Sequence, residues 1–436
     1  MATAVGLGAI WKFPYEVGAN GGGIFLLLYL AALATIVAPL MLAELAIGRR
    51  GRFDAVESMA RVAEAAGASR AWSAVGGIGV VTCCLILSYY SVVSGWTIAY
   101  ALDPGVGSAR DLAQSRHHFE ELLAQPVRVA VLHGVFMLII ASIVARGVSA
   151  GIERAARVLM PGMIVLIVAL AVYSLLSVDT RATMRFLFVP DFAKFSARAA
   201  IEALGLAFFS IGVGFGTYMT YAAYTDTRMD FLQVAIVTLV ADTVVSLLAA
   251  IAIFPLVFAR GMDPADGPGL AFVILPLAFA NLPFGTIVAL AFYLCLAVAA
   301  IASAISLLEM PVAYLRRAFG WSRPRATVVA ASAIWLIGLA TVMAFGPWSA
   351  WRPFAGVLVL ADASLFDLVD GFATKVLLPL AGLGLAGFAG WVLPTSVLAE
   401  ELRLGRRPAR LLTAVLRLVV PLCIALAAFG AFLPEQ

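Results

Sequence analysis

Apolar residues in this chain run in long unbroken stretches, and short polar segments separate them. Eleven stretches read as helical spans, at 1–17, 23–47, 72–101, 126–146, 154–177, 198–224, 231–259, 284–315, 326–345, 367–394 and 411–432. A helix needs about 20 apolar residues to cross a bilayer. The runs are continuous rather than alternating in ten-residue segments, which excludes a transmembrane β-barrel. The longest polar connections, 102–125 and 178–197, are too short for a soluble domain, so residues 1–436 read as one membrane-embedded unit. Span 1 is short: it runs from Met1 to Pro14 and is interrupted by glycine. A full crossing would begin about ten residues earlier. The expectation is an upstream start or a first helix without its cytoplasmic half.

Composition agrees. The chain is 63% apolar and 12% charged, against about 45–50% and about 25% in soluble domains. That excludes a secreted disulfide scaffold, a disordered chain and a cytosolic enzyme. Cys83, Cys84, Cys295 and Cys423 lie in apolar runs and read as free thiols filling space. No basic run is interleaved with aromatics, so the net charge of +4 gives no reason to expect nucleic-acid binding. No basic region precedes the first apolar stretch, so a cleavable signal is not expected. Arginines cluster after spans 2, 4, 8 and 10, which puts them on one side if the spans alternate. By the positive-inside rule that side is the cytoplasm. The reading is a multi-pass protein of the inner (plasma) membrane, N-terminus inside and C-terminus outside.

Two spans carry glycine clusters at apolar depth: Gly6-Leu7-Gly8 in span 1, and Gly212, Gly214 and Gly216 in span 6. Glycine weakens a helix by about 1 kcal/mol relative to alanine. Unwound backbone cannot face lipid, so it must line a cavity or bind something. Close helix packing by small residues is the plainer alternative. Paired interruptions at the heads of two five-helix halves favour a transporter built on inverted repeats.

Longer motifs carry a resemblance. Ala4-Val5-Gly6-Leu7-Gly8, Trp11-Lys12-Phe13-Pro14-Tyr15 and Asn20-Gly21-Gly22-Gly23 resemble the first-helix signature of the neurotransmitter:sodium symporters. Phe208 to Gly216 with Thr220-Tyr221 and Tyr224, Tyr89-Tyr90 with Trp96, and Ser303 to Glu309 follow in family order. The resemblance implies an all-α polytopic membrane protein with the leucine-transporter fold. It has a 5+5 inverted repeat (1–177 and 198–394), helices 1 and 6 unwound at mid-membrane, and an extra helix at 411–432, as in the shorter bacterial members. The implied activity is sodium-coupled symport of an amino acid into the cell by alternating access.

Carried over by position, the substrate pocket lies between spans 1, 3, 6 and 8. Amides around Leu7 and Gly8, with the Tyr90 hydroxyl, would hold a substrate carboxylate. Carbonyls of Ala4, Phe209 and Ser210 would receive the amino group. Ile86, Phe209, Gly212, Phe215, Ser303 and Leu307 would surround the side chain. Gly6 stands where amine carriers of the family have aspartate, which implies a substrate that brings its own carboxylate. Gly212 leaves room for an apolar or aromatic side chain.

Two sodium sites are implied. The first would use Ala4, Ser210 and Asp242, and the second Ala2, Val5, Ala299 and Ser303. An acid inside the membrane is a functional candidate in its own right. Asp242, among Tyr29, Ser210 and Ser246, would supply the charge that chloride provides elsewhere; with Leu206 in place of the usual glutamine, chloride is not expected to be required. Ala9 and Ala302 stand where the family usually has an asparagine and a threonine ligand, so both sodium sites are expected to be weakened. No other cofactor is implied. Lys12, Asp370, Tyr90 and Phe209 would form the outer gate, with lysine in place of a fork-shaped arginine. On span 5, Gly151 and Pro161 bracket a segment expected to unwind, or only to kink. At the inner end Arg316 and Arg317 stand near the expected acidic partner of the latch.

Three histidines without a His-Glu-x-x-His motif, and no Gly-x-Ser-x-Gly, give no basis for an enzyme. The readings kept beside sodium symport are a sodium-independent or proton-coupled carrier, and an amino-acid sensor that binds without transporting.

Overall fold

The computed structural model describes residues 4–103, 105–106, 108–109, 111–226, 228–259, 261–262, 269–280, 282–354 and 363–430. No strand occurs among them. Nine helices among the described residues are long and apolar enough to cross a membrane, from Gly23–Gly51 to Arg406–Ala428. The other two of the eleven spans are the ones with glycine clusters. Span 1 begins in non-helical backbone at Ala4 and becomes helical through a π-helical turn, Gly8–Lys12, followed by Phe13–Ala19. Span 6 is split into Ala197–Ile211 and Thr217–Ala223.

The break in span 6 follows from its glycines. Gly212, Gly214 and Gly216 have φ of 76°, 88° and 76°. A side chain there would crowd its own backbone, so three alternating glycines permit a path that other residues resist. The helices around the break provide the frame. Ser73–Leu102, Pro126–Ala145, Gly285–Phe319 and Arg323–Phe345 pack on one another as a group. Helix Phe231–Phe258 lies against span 1, and Thr217–Ala223 lies against the end of span 2.

Span 5 stays helical between Gly151 and Pro161, so it is not unwound there. It loosens in a π-helical turn at Val148–Glu153, which contains Gly151. Helix Arg154–Ser177 then runs through Pro161 without a break. A Cβ on Gly151 would overlap the Ile143 carbonyl, so this glycine serves a close approach to span 4.

The connections hold further short helices, Ala55–Ala65, Leu112–Leu123 and Arg181–Phe188 in polar segments and Leu275–Ala280 in a short apolar one. Two of them had a local signal. Asp54 caps the first by accepting from the Val56 amide, and Asp111 caps the second by accepting from the Gln114 amide.

Candidate functional site

The two broken spans cross at the centre of the bundle. A Cβ on Gly8 would sit 3.2 Å from the Ser210 Cα, so span 1 passes against the span 6 backbone there. A small cavity, about 30 Å³, lies beside this crossing. Its lining is Ala4, Gly6, Leu7, Gly8, Ile86, Tyr90, Phe209, Ser210, Gly212, Phe215, Ser303 and Leu307. These are the twelve residues that the family pattern assigns to substrate, brought together from spans 1, 3, 6 and 8.

The polar edge of the cavity is specific. The Leu7 amide donates to the Tyr90 hydroxyl at 3.3 Å. A Cβ on Gly6 would overlap the Ser303 hydroxyl and come within 3.1 Å of the Tyr90 oxygen. Glycine is therefore required at position 6 for space, quite apart from charge. On the far side, Ser210 donates to Asp242 at 2.7 Å, and Tyr29 donates to the same carboxylate at 2.5 Å. Asp242 is fully buried, and the buried Ser246 hydroxyl has no partner among the described residues. Ser210 thus reaches both the cavity and the buried acid. Val5, Ala299 and Ser303 are buried on spans 1 and 8, as are Ala9 and Ala302. Ala2 lies outside the described residues.

Glu44 was not singled out from the sequence. It is fully buried on span 2 and accepts from the Gly214 amide at 2.7 Å. Its carboxylate also faces the amides of Gly216, Tyr218 and Met219 at the start of Thr217–Ala223. A carboxylate suits the unpaired amides of a helix N-terminus. The Thr217 hydroxyl donates to the Gly212 carbonyl and Tyr218 to the Ile211 carbonyl, at 3.1 and 2.7 Å. Side chains thereby satisfy the backbone groups that unwinding exposes.

Next to the cavity lies a vestibule of about 260 Å³ that shares Leu7, Tyr90 and Phe209 with it. Lys12 and Asp370 also reach this vestibule. The ion pairs of the described residues do not join them, so the expected latch is not formed in this structure. The Lys12 ammonium lies instead 4.8 Å from the centre of the Phe209 ring, a cation–π distance.

The opposite end is tied shut. Arg317, at the end of span 8, pairs with Asp54 and, at 3.5 Å, with Glu57. Arg61 and Arg70 share Glu57 at 3.0 and 3.1 Å. Arg49 pairs with Glu401 at 2.8 Å and donates to the Met229 carbonyl. Arg52 donates to the Thr225 carbonyl at 2.9 Å. Arg323 pairs with the buried Glu309. Arginines gathered in sequence after spans 2 and 8 therefore meet at one end of the bundle, with acids from the connections after spans 2 and 10 and Glu309 of span 8.

Broken spans around a small central cavity, open vestibule on one side and paired charges on the other, define a helical membrane transporter. The chain belongs to the Sodium:neurotransmitter symporter family, whose sequence model matches residues 1–105 and 115–428. That is a family of transporters and not a class of enzymes. An uncharacterized sodium-dependent transporter of Bacillus subtilis (strain 168), YhdH, is 34% identical over 433 residues, covering 97% of this chain and 92% of its own. An uncharacterized sodium-dependent transporter of Haemophilus influenzae is 30% identical, covering 90% and 86%. The crystal structure of MhsT in complex with L-phenylalanine superposes with a TM-score of 0.89 at 38% identity, covering 99% of this chain and 96% of that one.

Proposed function

We propose that the protein is a sodium-coupled symporter that carries an apolar or aromatic amino acid into the cell by alternating access. The observation that carries this reading is the environment of Gly6. Space there is filled by Ser303 and Tyr90, with no acidic side chain among the described residues that line the cavity. A cationic amine without a carboxylate would find no anion at that position. An amino acid would place its carboxylate at the Leu7 and Gly8 amides and its side chain among Ile86, Phe209, Phe215 and Leu307. L-Phenylalanine bound to MhsT, and the sodium dependence named for both bacterial relatives, support the same reading.

In this reading sodium occupies two sites. Ala4, Ser210 and Asp242 serve the first, and Ala2, Val5, Ala299 and Ser303 the second. Asp242 acts as a fixed negative charge beside Tyr29, Ser210 and Ser246, which makes chloride unnecessary. Residues 1–177 and 198–394 are the two inverted repeats, and 411–432 is an additional helix. The arginine-rich end is cytoplasmic and the vestibule faces outward. The test is uptake of labelled amino acids by purified protein in proteoliposomes, with sodium, choline and proton gradients compared. Uptake of L-phenylalanine or another apolar amino acid driven by sodium is expected. Binding without accumulation under every gradient would make the protein a sensor instead.

A further inference from the structure

The charges at the two ends of the bundle are handled differently. At the arginine-rich end the acids are paired. Around the vestibule, Lys12, Glu202, Asp370 and Lys375 line the same space from spans 1, 6 and 10. Among the described residues, no ion pair involves any of the four. Two are cations and two are anions, and the family pattern accounts for only one of each, Lys12 and Asp370; Glu16 lines the vestibule too, but its carboxylate accepts from the Asn20 side-chain amide at 3.1 Å.

Local geometry shows how the other two are aimed. Glu202 precedes Phe209 by seven residues on helix Ala197–Ile211, two turns away on the same face. Lys375 follows Asp370 by five residues, and the turn between them, Phe372–Leu377, is π-helical. An i→i+5 repeat sets residues five apart on one face. Span 10 therefore presents an acid and an amine, one above the other, to the vestibule. Spans 1 and 6 present an amine and an acid in return.

We propose that Lys375 and Glu202 form a second outer latch, which closes beside Lys12–Asp370 and ties span 6 to span 10. The first latch holds one broken helix, and the second holds the other. Residue choice fits a latch that opens in every cycle. Of 29 basic residues only three are lysine, at 12, 194 and 375. All three line cavities at this end. Arginine binds carboxylates through a rigid two-pronged fork, whereas lysine is a point charge on a flexible stem and releases its partner without breaking two aligned bonds.

This inference rests on the carrier reading, and the experiment separates the two. The full chain, with its four native cysteines replaced, receives Glu202→Cys with Lys375→Cys. A control protein receives Lys12→Cys with Asp370→Cys. Cross-linking by a short bifunctional thiol reagent is timed with and without sodium and L-phenylalanine. Both pairs are expected to cross-link faster with the two ligands present. In proteoliposomes, Glu202→Lys and Lys375→Glu should each lower uptake about threefold to tenfold, a range appropriate to a partly exposed ion pair. The exchanged double variant should recover at least half of the wild-type rate. If the control pair responds while the Glu202–Lys375 pair does not, and the exchange recovers nothing, the second latch is overturned and the carrier reading stands. If neither pair responds to any common amino acid with sodium, the carrier reading falls and takes the latch with it.

Discussion

The Ser210 hydroxyl donates to Asp242 at 2.7 Å, which joins the wall of the central cavity to the one fully buried aspartate of the described spans. Ser210 lies at the crossing of the broken helices, so any ion held by Asp242 would sense the substrate through a single residue. We expect Asp242→Ala to abolish sodium-driven uptake while the protein remains folded and inserted. Asp242→Asn keeps the shape, and the hydroxyls of Tyr29, Ser210 and Ser246 remain to accept an anion. That variant is expected to transport only when chloride is supplied. Wild-type uptake by Asp242→Ala at limiting sodium would remove Asp242 from the ion site.

Gly6 separates space from charge. Gly6→Ala places a methyl group on the Ser303 hydroxyl and should abolish amino-acid binding. Adding Ser303→Gly clears that space, and the double variant should regain part of the affinity. Gly6→Asp with Ser303→Gly should stay inactive, because two carboxylates about 4 Å apart repel by about 4 kcal/mol at an effective dielectric constant near 20, a loss of about a thousandfold. Binding by scintillation proximity or calorimetry checks all three. Equal affinity in the last variant and the wild type would show that no substrate carboxylate lies at this edge.

Ala9 and Ala302 are buried at positions where an oxygen ligand is expected from the family. Ala9→Asn adds an amide oxygen and Ala302→Thr a hydroxyl. A contact to a charge contributes about 1.5–3 kcal/mol, so the sodium concentration for half-maximal uptake should fall about tenfold or more. A proton gradient alone should drive the variants no better than the wild type. Folded variants that bind substrate yet respond to sodium as the wild type does would refute the assignment of these positions.

Arg317 holds the end of span 8 to the helix Ala55–Ala65 through Asp54 and Glu57. Asp54 is buried, which pushes its carboxyl above the ordinary range, and Arg317 draws it back. Arg317→Ala leaves that acid without its cation. We expect faster amide exchange over residues 54–65 and slower uptake, with the vestibule unaffected. Unchanged exchange in that segment would show that the pair is incidental.

The spans and the breaks in spans 1 and 6 were legible because their signals are local, long apolar runs and glycines where helices do not tolerate them, whereas the residues of the central cavity came from the family resemblance. Glu44 shows the limit. An acid within Leu42-Ala43-Glu44-Leu45-Ala46 is conspicuous, yet its partner is the amide of Gly214, far along the chain. A backbone amide leaves no residue type by which to find it. The partner of Arg317 was hidden for a related reason. Arg317 is one of many arginines, and its choice of Asp54 follows from the helix after span 2, which is too short and polar to register as a span. The outer gate of Lys12 and Asp370 came from the resemblance, which names the residues and not the state in which they meet.

The contact between the Leu7 amide and Tyr90 constrains how such a site can discriminate. The amide that awaits a carboxylate already has a partner. In the proposed reading an arriving carboxylate replaces that hydrogen bond at Leu7 and does not add one, so this contact yields only the difference between two. Net hydrogen bonds in proteins are worth about 0.5–1.5 kcal/mol even without such competition. Burying one methylene gives about 0.8 kcal/mol. Affinity should therefore climb steeply along a homologous series of side chains, until the cavity is full, while ligands that share a side chain but differ modestly at the carboxylate are told apart poorly.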